Sequence, residues 1–111
     1  MIYHITNKEH WNKALAENIY KPDSLNTEGF IHCSSGEKIS DSLDRFFKGK
    51  TDLILINIDE SKVHNEIIWE DLYGHNLKFP HIYGELNIDA VIKVTEIKTD
   101  TDGRFIIPVI I

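Results

Sequence analysis

One cysteine, three prolines and no apolar run approaching a bilayer span set the first limits on this 111-residue chain. A lone Cys33 rules out an internal disulfide and fits a reducing compartment. A membrane-crossing helix needs roughly 20 apolar residues, and none is present. The opening MIYHITNKEHW has neither a basic nor an apolar leader region, so a soluble, cytoplasmic protein is expected. Basic residues are also scarce: 12 Lys and Arg against 18 Asp and Glu give a net charge of −6. That is the wrong sign for a protein that grips many phosphates, so duplex nucleic acid is not an expected partner. The cluster Lys38, Arg45, Lys48 and Lys50 is interrupted by Glu37, Asp41 and Asp44 and reads as a solvated helix face.

Signature motifs are missing as well. No HExxH or CxxC marks a metal site, and no glycine-rich phosphate loop occurs. No metal is expected, and no cofactor is required by any motif.

What is present describes one α+β domain over residues 1–111. IYHI at 2–5 is β-prone, and Thr6 with Glu9 forms a capping-box pattern opening a helix over 7–18, with Trp11, Ala14 and Leu15 at helical spacing. YKPDSLNTEG at 20–29 reads as a loop, long enough to line a site. A strand FIHC follows, then a second capping box from Ser34 to Glu37 and an amphipathic helix carrying Ile39, Leu43, Phe46 and Phe47, closed by Gly49. DLILINID at 52–59 predicts a central strand. IIWED at 67–71 and FPHIYGEL at 79–86 predict two more, joined by the turn YGHNLK. AVIKVTEIK and RFIIPVII flank TDTDG as a hairpin, with Pro108 at an edge or bulge. An exposed RFIIPVII edge would support strand-to-strand dimerisation, and the oligomeric state stays open.

Side-chain alternation along strands then sorts the polar residues. Phe30, His32 and Ser34 share one face, with Ile31 and Cys33 on the other, so His32 and Cys33 point apart and make no Cys-His dyad. Cys33 reads as a small buried hydrophobe. His4 shares a face with Ile2 and Thr6, and Phe79, His81, Tyr83 and Glu85 share another. If the strands adjoin, His4, His32, His81 and Tyr83 line one cleft, with Ser34 and Thr6 beside them and Glu70 at a strand end or in the cleft. Each histidine also has a structural reading, as a residue bonded to a backbone carbonyl or loop side chain.

The segments IYHIT at 2–6, GFIHCS at 29–34, IWED at 68–71, FPHIYG at 79–84 and the closing DGRFIIP resemble the bacterial family known as domain of unknown function 952. That family is similar to the ADP-ribosyltransferase fold, which implies a curved, split, mixed β-sheet with two N-terminal helices around a cleft for NAD or another nucleotide. By that resemblance His4 and His32 are the catalytic candidates, His4 on a ribose hydroxyl and His32 on a sugar or phosphate oxygen. Tyr83 would stack on a base, with His81, Ser34 and Thr6 as further ligand contacts. The carboxylate facing a developing oxocarbenium would be Glu85, then Glu70. The expected ligand is nucleotide-like, with ADP-ribosyl or phosphoribosyl transfer as its chemistry. Two alternatives stand beside it: a non-catalytic binding module, and a small-molecule hydrolase or transferase using His32 as general base near the ordinary histidine pKa of about 6.5.

Overall fold

The computed structural model describes residues 1–72, 74 and 76–107. In chain order its elements are β1 (Ile2–Asn7), α1 (Lys8–Glu17), β2 (Ile19–Tyr20), α2 (Ser24–Thr27), β3 (Ile31–His32), α3 (Ile39–Phe46), β4 (Leu53–Ile58), β5 (Ile67–Glu70), β6 (Phe79–Ile82), β7 (Leu86–Asn87), β8 (Val91–Glu96), β9 (Lys98–Thr99) and β10 (Phe105–Ile106). The strands form sheets β1-β4-β8 and β3-β6-β5 and the pairs β2-β7 and β9-β10. The β-structure is split, as expected of this α+β domain. Every ladder among the described residues runs antiparallel, so the parallel pairing implied by a mixed sheet does not occur there.

The apolar run LILINI explains the architecture. All six residues of β4 are buried, because the strand is central in its sheet and covered on both faces. Ile54, Ile56 and Ile58 join Ile2, Trp11, Tyr20, Ile31, Cys33 and Ile82 in one core. Leu53 and Leu55 join Tyr3, Ile5, Ile39 and Leu43 in a second, under α3. Each such Leu or Ile contributes about 1.5–3 kcal/mol when fully buried. Among the described residues no helix is long and apolar enough to cross a membrane.

Local chemistry moved several expected boundaries. Helix α1 is capped by Asn7, whose side chain accepts the His10 N–H at 2.7 Å; Thr6 stays in β1, paired with Ile54. Asparagine is among the strongest N-caps, which explains the choice. The second capping box does not form: Ser34 is bound through its backbone to Tyr3 in both directions, at 2.7 and 2.9 Å, and the helix begins only after a 3₁₀ turn at Gly36–Lys38. Phe46, placed on the core face by spacing, is 62% exposed, while Phe47 packs against the core in its stead. The expected loop 20–29 contains the end of β2 and all of α2.

The segment 79–86 is not one strand. It breaks after Ile82 at Gly84, where φ is +147°, and resumes as β7 on a different partner, β2. The terminal hairpin forms around TDTDG but is short, pairing Lys98–Thr99 with Phe105–Ile106, while Val91–Glu96 of AVIKVTEIK is β8 and pairs with β4; Gly103 has φ +81° and the Asp100 carboxylate accepts the N–H groups of Asp102 and Arg104. Pro108 and the rest of the second half of the expected RFIIPVII edge, and Tyr73 and His75 of the predicted turn, lie outside the described residues.

Candidate functional site

A cavity of about 660 Å³ opens beside β1, and its wall includes His4 and Thr6 of β1, His32 of β3, Ser34 just beyond it and His81 of β6. Antiparallel pairing produces this convergence. His32 stands in register opposite His81, and the Ser34 backbone is bridged to Tyr3, which draws β3 onto β1. The alternation argument holds at this point: the ring centroids of His32 and His81 lie 5.3 Å apart, while Cys33 packs in the core. Burial pushes the Cys33 thiol pKa well up, which makes it a poor nucleophile.

His4 is saturated. Its Nδ1 lies 2.5 Å from the carbonyl oxygen of His32, which can only accept, so Nδ1 carries the proton and donates. Nε2 is then an acceptor and takes the Tyr20 hydroxyl proton at 2.6 Å. Burial lowers the His4 pKa to about 4, against a smaller upward effect of the His32 carbonyl. Tyr20 is pushed up to about 12, chiefly by burial, against a smaller lowering by the Thr6 side chain. Both nitrogens of His4 are thus engaged within the protein.

His32 is different. Its side chain is 41% exposed, and Nε2 donates to the Glu28 carboxylate. Nδ1 has no hydrogen-bond partner among the described residues, which leaves a basic nitrogen in an oriented ring.

His81 is 1% exposed. Its Nδ1 donates to Glu70 Oε1 at 2.8 Å, and the Tyr83 hydroxyl donates to the same oxygen. These bonds lower the Glu70 carboxyl pKa, Tyr83 contributing most, and they raise Tyr83 to about 12. The Phe30 ring stacks on His81 with centroids 4.2 Å apart. Glu70 and Tyr83 are bonded to one another and to His81 and are not among the residues lining the cavity. Glu85 is exposed and is not among the residues lining the cavity, because the chain leaves the strand at Gly84.

Sequence reasoning missed Tyr20, Glu28 and Arg45. The length of the 20–29 segment was a signal for the first two. Arg45 was read as a solvated helix residue, yet Arg45 and Lys50 both line the cavity, and Arg45 makes no ion pair among the described residues. Among those residues no three His, Cys, Asp or Glu side chains converge as a metal site.

Comparison with known proteins agrees with this architecture. The crystal structure of protein CC0527 from Caulobacter crescentus is similar at 28% identity over 94% of this chain and 91% of that one, with a TM-score of 0.84. The solution NMR structure of CC0527 is also 28% identical, covering 92% and 88%, with a TM-score of 0.79. No curated protein matches the chain. The family model described as "Protein of unknown function (DUF952)" matches residues 5–94, which include most of the cavity-lining residues but not Tyr3 and His4 of β1, and to that family the chain belongs.

Proposed function

We propose that this chain binds a nucleotide or an NAD-derived ligand in the cavity beside β1. The observation that carries the reading is the joint presence in one wall of His32, Ser34 and His81 with the cations Arg45 and Lys50. Neutral donors and acceptors suit a sugar, and Arg45 and Lys50, which make no ion pair among the described residues, suit phosphate, beside the carboxylates Glu28, Asp41 and Asp71 of the same lining. A volume of about 660 Å³ lies within the range of small-molecule sites. The resemblance to ADP-ribosyltransferases points to the same ligand class, and group transfer from such a ligand is the chemistry it suggests. If turnover occurs, His32 Nδ1 is the basic atom, with Glu28 orienting the ring through Nε2.

A second reading, binding without turnover, is favoured by His4. The residue that the resemblance places on the ribose is fully engaged inside the protein, which removes one part of the catalytic set.

Thermal-shift titration with NAD, ADP-ribose, AMP and nicotinamide tests the binding, and chromatography of the incubated nucleotides tests the turnover. A ligand at 100 times its Kd stabilises the native state by about 2.7 kcal/mol, a shift of several degrees in a domain of this size. A shift with NAD or ADP-ribose that His32→Ala and Arg45→Ala abolish supports the site. Absence of any shift rejects it. Binding with unchanged nucleotides selects the second reading.

A further inference from the structure

We propose that Phe46 recognises the base of the bound nucleotide, its ring serving as a stacking platform; this rests on the nucleotide reading above and deepens it.

Phe46 is the last residue of α3, and that helix has two working faces. Ile39 and Leu43 are buried in the second core, and Phe47, a further four positions on, packs against it. Ser42, Arg45 and Phe46, spaced i, i+3 and i+4, form a different stripe, and all three line the cavity. One side of the helix therefore offers the cavity a hydroxyl, a guanidinium and a phenyl ring. A single apolar side chain on a surface calls for no explanation. Phe46, however, is 62% exposed in the wall of a cavity of about 660 Å³, next to a cation with no ion pair among the described residues. Asp41, one turn back on α3, does not neutralise Arg45.

The other two phenylalanines of the wall are already engaged. Phe47 is half-buried with the Lys50 ammonium 5.6 Å from its ring centre, and Phe79 is half-buried with that of Lys38 at 4.7 Å. Phe46 makes no ring or cation contact among the described residues, so its face is open to a ligand. Ring and cation together select the occupant. A purely apolar molecule would leave Arg45 without an anion, and a bare sugar phosphate would leave the ring in water. A planar base joined to a phosphate satisfies both, because every base has a π face to lay on an aromatic ring and phosphate suits the guanidinium fork.

Calorimetry with AMP, ADP-ribose, NAD and ribose 5-phosphate tests this on the wild type and on Phe46→Ala, Phe46→Leu and Phe46→Trp. The nucleotide that binds the wild type most tightly should bind Phe46→Ala roughly five- to 150-fold more weakly, the worth of one base stacked on an aromatic side chain. Ribose 5-phosphate, which has no base, should bind the two proteins alike. Phe46→Trp should restore the loss, and Phe46→Leu, apolar but without a π face, should not. An exposed position such as this one tolerates substitution, so the variants should melt with the wild type. Unchanged nucleotide affinity in Phe46→Ala, or full affinity in Phe46→Leu, overturns the role of Phe46 and leaves the cavity reading intact. No binding of AMP, ADP-ribose or NAD to the wild type overturns both.

Discussion

His4 donates through Nδ1 to the carbonyl oxygen of His32, 2.5 Å away, so the histidine of the first strand fastens the backbone that presents the histidine of the third. The bond ties the wall of the cavity to its central sheet. The burial of His4 also makes stability depend on pH.

The His4 pKa falls from its ordinary value of 6.5 to about 4 in the folded protein. Between those values the unfolded chain binds the extra proton. The stabilisation is therefore fully present above pH 6.5 and is lost progressively as pH falls toward 4. Its size is roughly 3 kcal/mol, from 1.36 kcal/mol per pKa unit. Urea unfolding at about pH 7 and about pH 5 should show the wild type losing stability on acidification and His4→Gln losing less, from a lower starting point. Parallel losses in the two proteins would remove His4 as the cause.

Cys33 should resist modification. It is 6% exposed and its thiolate is disfavoured by burial. A thiol reagent should label the native protein only on the timescale of unfolding, and label it at once in denaturant. Rapid labelling of the native protein would contradict the packing described.

Gly84→Ala should cost about 1–3 kcal/mol. Its φ of +147° is unsuitable for a side chain, and an added Cβ would lie 2.6 Å from the Asn65 amide. That amide donates to the Glu85 carbonyl at 2.7 Å and pins the link from β6 to β7. Chemical denaturation should show a lowered midpoint, and Asn65→Ala introduced beside Gly84→Ala should recover the part due to overlap. A midpoint unchanged in Gly84→Ala would mean that the link is not held this way.

His32→Ala and Arg45→Ala should leave the fold intact while removing ligand response. Arg45 is exposed and His32 half-buried, and such substitutions change stability by about 1 kcal/mol or less. Equal losses of stability and ligand response would assign them a structural role.

Much of the fold was legible from the chain. Buried LILINI announced the central strand, and alternation correctly parted His32 from Cys33, since both depend only on local pattern and burial. Glu85 escaped the same rule because a positive-φ glycine ended the strand two residues after Ile82. The saturation of His4 was hidden for another reason. Its partners Tyr20 and the His32 carbonyl lie 16 and 28 residues away, and no local periodicity records such bonds. Glu28 and Arg45 likewise reached the cavity through tertiary placement, from positions that local composition marks as solvent-facing.

The strand order β1-β4-β8 also bears on how the protein is made. Ile2 pairs with Ile58, 56 positions later, and Ile54 with Glu96, 42 positions later, so no neighbouring strands in this sheet are joined by a short turn. Long closures of this kind delay assembly, commonly to milliseconds or longer, whereas the β5-β6 and β9-β10 hairpins can form locally and early. The sheet that carries His4 can be completed only once the chain through Glu96 is in place. The sheet that backs the cavity is therefore a late product of folding, completed only after Glu96 has left the ribosome.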